Sequence, residues 1–132
     1  MLAKILVVED DETTLEVMAR LLRVAGYNVK AVDGYGSAVS ASNKEHFDML
    51  VSDIGLQDGD GCRLLSDLQS RWGPHRISGV AVSGFSSPED IERSRQAGYA
   101  AHLVKPVDFH RLVSVIQSTL ELNRRAKSSS AE

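Results

Sequence analysis

Residues 4–12 read KILVVEDDE, a short apolar run that is followed at once by four acids. An apolar run of this length favours a buried β-strand, which we place at Lys4–Val8. The carboxylates from Glu9 to Glu12 crowd like charges at the end of that strand. Such crowding raises the pKa of each acid and destabilises a fold unless a positive group lies among the acids. The stretch therefore predicts a strand and, at its end, a site that holds a cation.

The composition is that of an ordinary globular domain. The chain has 132 residues, 42% apolar and 25% charged, which is enough for one domain with a buried core. The net charge of −3 argues against a nucleic-acid-binding surface, and no apolar stretch approaches the length of a membrane span. The single cysteine, Cys62, excludes an internal disulfide. A reducing cytoplasmic location fits best, because the four-residue apolar run is too short for a signal peptide.

Strand and helix patterns alternate along the chain, which predicts an α/β fold with a doubly wound parallel sheet covered by helices on both faces. The predicted strands are Lys4–Val8, Asn28–Val32, Phe47–Ser52, Ile77–Val82 and Ala101–Val104. The predicted helices are Asp11–Ala25, Ser37–Glu45, one from the glycine-rich loop 55–61 to Arg71, one from Ser87 to Gly98, and Phe109–Leu122. We expect a domain over residues 1–123 and a disordered tail over residues 124–132 (RRAKSSSAE).

Five polar residues follow the predicted strands, and the carboxyl ends of parallel strands meet at one edge of a sheet. They are Glu9, Asp10, Asp53, Ser83 and Lys105. Three acids on neighbouring strand ends suit a hard divalent cation, for which Mg²⁺ is the natural candidate. With a cation bound, the acidic site can accept a phosphoryl group, and a carboxylate can be the nucleophile for phosphoryl transfer. A nucleotide phosphate alone is disfavoured, because no G-x-G-x-x-G loop follows the first strand.

Four motifs in register strengthen this interpretation: ILVVEDD, SDIGLQDGDG, VAVSG and HLVKP, in that order. With these motifs the chain resembles the receiver domain of two-component response regulators, from about Lys4 to Leu122. The resemblance implies a flavodoxin-like (βα)5 fold with five parallel strands in the order 2-1-3-4-5. It also implies a switch that takes a phosphoryl group from a histidine kinase or a phosphotransfer protein.

The resemblance implies roles for the acids. Asp53 is the expected phosphoacceptor. Asp10, Asp53 and the backbone carbonyl of Gly55 are expected to bind Mg²⁺ directly, with Mn²⁺ as a substitute. Glu9 is expected to act through a metal-bound water.

Other residues would transmit the signal, again by resemblance. Lys105 is expected to contact the phosphoryl group and to precede a cis proline, Pro106. Ser83 would move toward the phosphoryl group, and His102 occupies the aromatic switch position. The face made by the fourth helix, fifth strand and fifth helix would then bind a downstream protein or form a phosphorylation-dependent dimer. No direct contact with nucleic acid or membrane is expected.

The chain departs from the family pattern at several positions. Gln57 stands where proline is usual, and His102 replaces a tyrosine or phenylalanine, which makes a pH-sensitive switch an expectation. Gly55 and Gly84 carry no side chains, so we expect an open site without an unusually long-lived phosphoryl group.

Alternative readings remain for several of these residues. Asp11 and Glu12 are best explained as helix-capping and dipole residues, and Cys62 as a packed small hydrophobe. For Ser83, the role of a turn residue and the role of a ligand are about equally well supported. For His102, the same holds for an ordinary half-buried residue and a switch. A phosphorylation-independent pseudo-receiver is the main alternative function, and a Mg²⁺-dependent phosphohydrolase with an aspartyl-phosphate intermediate is a weaker one. We expect no enzyme activity beyond the domain's own phosphorylation and dephosphorylation. The domain is expected either to stand alone or to belong to a hybrid histidine kinase.

Overall fold

The computed structural model describes residues 2–73, 76–84 and 87–131, with side chains up to residue 125. These ranges contain seven strands: β1 (Lys4–Val8), β2 (Asn28–Val32), β3 (Met49–Asp53), β4 (Gly55–Leu56), β5 (Gly59–Asp60), β6 (Ser78–Ser83) and β7 (Ala101–Val104). The helices are α1 (Glu12–Val24), α2 (Tyr35–Lys44), α3 (Gly61–Trp72), α4 (Pro88–Gln96) and α5 (Phe109–Ala131). No helix in these ranges is both long and apolar enough to cross a membrane.

Five strands form one parallel sheet in the order β2-β1-β3-β6-β7. Counted as the five main strands, this is the predicted order 2-1-3-4-5, and the predicted fold class is confirmed. The short strands β4 and β5 pair antiparallel in a separate hairpin, where the glycine-rich sequence predicts a loop.

The interior strand β1, which lies between β2 and β3, has apolar residues on both of its faces, because both faces of the sheet are covered by helices. Leu6 and Val8 join a cluster that includes residues of α2 and α3. Ile5 and Val7 point to the opposite face and join a cluster with residues of α1 and α5. All four side chains are fully buried. The apolar run from Ile5 to Val8 therefore contributes to both cores.

Local signals predicted the starts of α1 and α4 correctly, whereas the predicted start of α2 at Ser37 is wrong, because α2 begins at Tyr35. Asp11 caps α1, since its carboxylate accepts the amide hydrogen of Thr14 at 3.0 Å. Ser87, at the predicted start of α4, forms a capping box with Asp90. Cys62 is buried in the core, as predicted for a small hydrophobe.

The predicted end of the last helix at Leu122 is wrong, because α5 continues to Ala131. The backbone of residues 124–131 is helical where the sequence analysis expected disorder, while residue 132 lies outside the described part. This segment contains neither glycine nor proline. Once a helix has formed, each further residue extends it at little conformational cost, and arginine, lysine and alanine favour the helical state.

Candidate functional site

Sheet register brings the predicted site residues to one edge. Val8 of β1 lies opposite Ser52 of β3, so Glu9 and Asp53 follow on neighbouring strands. Asp53 in turn lies opposite Val82 of β6. Lys105 is tied to the next strand end, because its backbone amide donates to the Ser83 carbonyl at 2.9 Å. The peptide bond from Lys105 to Pro106 is cis, as expected.

Three carboxylates converge at this edge. Glu9, Asp10 and Asp53 each offer one oxygen, and these oxygens all lie within 4.8 Å of one another. Glu9 is fully buried, whereas 12% of the Asp53 side chain is exposed. Asp53 is therefore the acid of the buried pair that a small reactant can reach.

Lys105 supplies positive charge next to the acids that follow β1. Its ammonium donates a hydrogen bond to Glu9 and another to Asp53 Oδ2, the latter at 2.9 Å. Burial disfavours the charged form of Lys105, but these hydrogen bonds outweigh it and raise the pKa of the ammonium. The half-buried lysine is thus held in its charged form against two carboxylates.

One lysine does not neutralise the cluster. Burial raises the pKa of Glu9, although the hydrogen bond from Lys105 opposes that shift. The second oxygen of Glu9, Oε2, is buried and has no hydrogen-bond partner among the described residues. A buried carboxylate oxygen without a partner is costly. Three carboxylates with one ammonium and one orphaned oxygen therefore fit a divalent cation with oxygen ligands.

The expected mutual rise of the acids' pKa values does not hold along the whole stretch. Asp11 has a lowered pKa, because the hydroxyl and the amide of Thr14 both donate to its carboxylate. This residue caps α1 and lies outside the acid cluster, as its assignment to capping predicted.

The other Asp53 oxygen is held by the backbone. The amide of Gly55 donates to Asp53 Oδ1 at 3.0 Å. Apart from each glycine and its two chain neighbours, no heavy atom of the described residues lies within 4 Å of where a Cβ would stand at Gly55 or at Gly84, so the approach to this edge is open there. Ser83 ends β6 and is buried.

Gly61 is a site-forming residue that is absent from the set predicted from sequence. A Cβ at this position would lie 2.2 Å from the carbonyl oxygen of Asp53 and 2.8 Å from Cα of Ile54. The amide of Gly61 donates to the Ile54 carbonyl at 2.8 Å and closes the loop after β3. The glycine-rich run DGDG was the only sequence signal of this close approach.

His102 lies on β7 and is not a member of the acid cluster. Its Nδ1 is 2.9 Å from Ser94 Oγ on α4, and that hydroxyl lies 2.8 Å from the Ile91 carbonyl. A hydroxyl has one hydrogen, and a carbonyl can only accept, so we assign the Ser94 hydrogen to Ile91 and the donor role to His102 Nδ1. Burial lowers the pKa of His102, with Asp90 opposing the shift. Its titration is thus displaced to lower pH than that of an ordinary histidine.

The chain is similar in sequence to known proteins. A family model described as the response regulator receiver domain matches residues 5–117. The transcriptional regulatory protein ZraR of Salmonella typhimurium is 31% identical over 120 residues, which are 91% of this chain and 27% of ZraR. The polar-differentiation response regulator DivK of Brucella ovis is 28% identical over 91% of this chain and 98% of DivK. The chain thus spans about a quarter of one relative and nearly all of the other.

Solved structures show the same fold. A CheY-like receiver domain protein from Methanospirillum hungatei has a TM-score of 0.88 and 28% identity, covering 96% of this chain and 99% of that one. NtrX from Brucella abortus has a TM-score of 0.90 and 27% identity, covering 98% of this chain and 30% of NtrX.

Proposed function

Because this chain belongs to the response regulator receiver domain family of two-component systems, we propose that Asp53 is its phosphoacceptor. The observation that supports this choice is the pairing of Asp53 with Lys105 at 2.9 Å, at a partly exposed position beside two further acids. Receiver domains take phosphoryl groups from histidine kinases or phosphotransfer proteins, and we propose such a protein as the donor.

We propose Mg²⁺, with Mn²⁺ as a substitute, as the cation of the acid cluster. Asp10, Asp53 and the Gly55 carbonyl would hold it directly, and Glu9 would act through a water. The orphaned Oε2 of Glu9 supports this choice. The ion supplies positive charge that offsets the charge on the phosphoryl oxygens.

In the proposed step, an oxygen of the Asp53 carboxylate forms a bond to phosphorus while the bond from phosphorus to the donor's imidazole nitrogen breaks. The imidazole leaves with the electron pair. Lys105 lies beside Asp53 and would turn its ammonium from the carboxylate to a phosphoryl oxygen. The Gly55 amide would keep its hydrogen bond to the carboxyl group, and the Ser83 hydroxyl would be a further donor. Water then hydrolyses the acyl phosphate through the open approach at Gly55 and Gly84.

We propose that the output is a change of surface and not chemistry on another substrate. Helix α4 is the element suited to move, because Ser94 is its only buried residue. Ile91 and Val104 are exposed apolar residues of α4 and β7, at 43% and 51%. A downstream protein or a second phosphorylated copy would bind this face with α5, and His102 is the proposed switch residue beneath it. The phosphoacceptor unit is proposed as residues 1–123, in the cytoplasm.

The test is intact mass spectrometry after incubation with acetyl phosphate, with Mg²⁺ and with a chelator. We expect the wild type to gain one phosphoryl group only with Mg²⁺, and Asp53→Asn to gain none. Asp33→Asn is the matched control, since Asp33 is an exposed aspartate that follows β2 at the same sheet edge. Labelling of Asp53→Asn would overturn the assignment. A folded wild type that takes no phosphoryl group from acetyl phosphate or from phosphorylated donor proteins would favour the pseudo-receiver.

A further inference from the structure

Helix α2 begins without a capping side chain of its own. Its N-cap residue is Gly34, which has no side chain to accept the first amide hydrogens. The carboxylate of Asp58 takes that place from the turn between β4 and β5. Its Oδ1 accepts from the amide of Tyr35 at 2.7 Å, and its Oδ2 accepts from the amide of Gly36 at 3.0 Å. These two hydrogen bonds also lower the pKa of Asp58, so the carboxylate stays ionised well into the acid range.

The contact between the hairpin and α2 is close enough to require two glycines. A Cβ at Gly34 would lie 2.8 Å from Asp58 Oδ1, and one at Gly59 would lie 2.6 Å from the ring of Tyr35. The Tyr35 ring is fixed on its other side by a hydrogen bond from its hydroxyl to Asp67 of α3. The hairpin therefore rests on a tyrosine that α3 holds in place.

The same hairpin reaches the proposed phosphoacceptor. Gly55 pairs with Asp60 and Leu56 pairs with Gly59, so the turn that carries Asp58 is connected through one short ladder to Gly55. The Gly55 amide then donates to Asp53 Oδ1 at 3.0 Å. The turn residues Gln57 and Asp58 include no proline, so no ring restricts this segment.

We propose that Asp58 is a positioning residue: it anchors the β4–β5 hairpin to the start of α2 and so holds the Gly55 amide in place on Asp53. The inference rests on the proposed role of Asp53 and adds a residue that touches neither the phosphoryl group nor the cation. The carboxylate fills two roles at once, as the cap of α2 and as the tie of the hairpin. The experiment has to separate them.

Two variants make that separation. Asp58→Ala removes both the cap and the tie. Asp58→Ala combined with Gly34→Ser gives α2 a local cap, because Gly34 has an extended backbone with φ −170° that serine adopts readily. The close neighbour of a Cβ at Gly34 is the Asp58 carboxylate itself, which the double variant lacks. The double variant therefore restores the cap without the tie.

We expect the thermal midpoint to fall in Asp58→Ala and to recover in the double variant. The NMR chemical shift of the Gly55 amide, measured in metal-free protein, should change in both variants. Calorimetric titration should show Mg²⁺ bound about tenfold more weakly in both, as is typical when a residue that orients a ligand is lost. Asp108→Ala is the matched control, since Asp108 accepts from the Arg111 amide at the start of α5 and makes no described contact with the hairpin. It should leave the Gly55 amide and the Mg²⁺ affinity unchanged.

Recovery of the Gly55 amide and of Mg²⁺ affinity in the double variant would overturn the inference and leave Asp58 as a helix cap only. An unchanged Gly55 amide in Asp58→Ala would overturn it as well. The amide measurement needs no phosphoryl group. If the chemical shift of the Gly55 amide depends on Asp58 but the wild type cannot be phosphorylated, the phosphoacceptor proposal is rejected. The proposed anchoring of the hairpin by Asp58 is then retained.

Discussion

Replacing Lys105 with methionine tests the electrostatic account of the site most directly. The substitution keeps a flexible side chain and removes the cation that binds both Glu9 and Asp53. Two carboxylate charges separated by 4.8 Å, the upper limit within this cluster, repel by about 3.5 kcal/mol at an effective dielectric constant of about 20. Loss of one partner from a buried ion pair typically costs about 3–5 kcal/mol. We expect the free energy of unfolding without metal to fall by about 3 kcal/mol at neutral pH, or about 10 °C in the thermal midpoint.

The deficit should depend on pH with a definite sign. Burial raises the pKa of Glu9, and the hydrogen bond from Lys105 restrains that rise. Without the lysine the pKa of Glu9 rises further, so the folded state binds more protons than the unfolded state above the ordinary value of 4.5. The variant should therefore lose stability as pH increases from about 4.5 through the raised pKa of Glu9. Its deficit relative to wild type should be largest at neutral pH.

Urea denaturation measures both the loss of stability and its pH dependence. It is carried out in chelator and in Mg²⁺, each at neutral and at mildly acidic pH. Mg²⁺ should stabilise Lys105→Met more than wild type, because a bound cation replaces the lost charge. Lys30→Met, at an exposed position on the edge strand β2, is the control and should behave as wild type. A Lys105→Met protein as stable as wild type in chelator at neutral pH would refute the reasoning, as would the absence of any extra gain from Mg²⁺.

Three further predictions concern the same edge of the sheet. Asp10→Asn should weaken Mg²⁺ binding about tenfold or more in a calorimetric titration, and an unchanged affinity would remove Asp10 from the site. Glu9→Gln should raise the free energy of unfolding of metal-free protein by about 1–3 kcal/mol at neutral pH, because the buried carboxylate with its orphaned oxygen is neutralised. This gain in stability should vanish below about pH 4.5, where wild-type Glu9 is protonated in both the folded and the unfolded state. A gain that persists in acid would contradict the prediction. Gly61→Ala should lower stability by about 1–3 kcal/mol or more, because the new Cβ would meet the Asp53 carbonyl oxygen at 2.2 Å; an unchanged denaturation midpoint would mean that this loop yields freely.

The sequence by itself determined the elements whose signals are local. The apolar run from Ile5 to Val8 predicts a strand buried on both faces, and Asp11 and Ser87 predict helix starts, because a cap acts within three or four residues of itself. The acids and Lys105 could be assigned to one edge of the sheet, since parallel strands bring their carboxyl ends together. The end of α5 was misplaced because no residue there stops a helix, and its end is not marked in the sequence.

Only the tertiary structure decided which of these groups meet and how deeply they are buried. Glu9 and Lys105 are 96 residues apart, and their contact depends on the register of four strands. Residues next to each other in sequence differ in burial: Glu9 is fully buried, whereas Asp10 is half-buried. The reason is that successive side chains leave a strand end in different directions. Asp58 gives no sign in the sequence that it caps α2, since its partners lie 22 and 23 residues earlier and are reached only after the hairpin has folded. Local patterns specify helices and strands through interactions between near neighbours, whereas the site depends on long-range packing that no local pattern records.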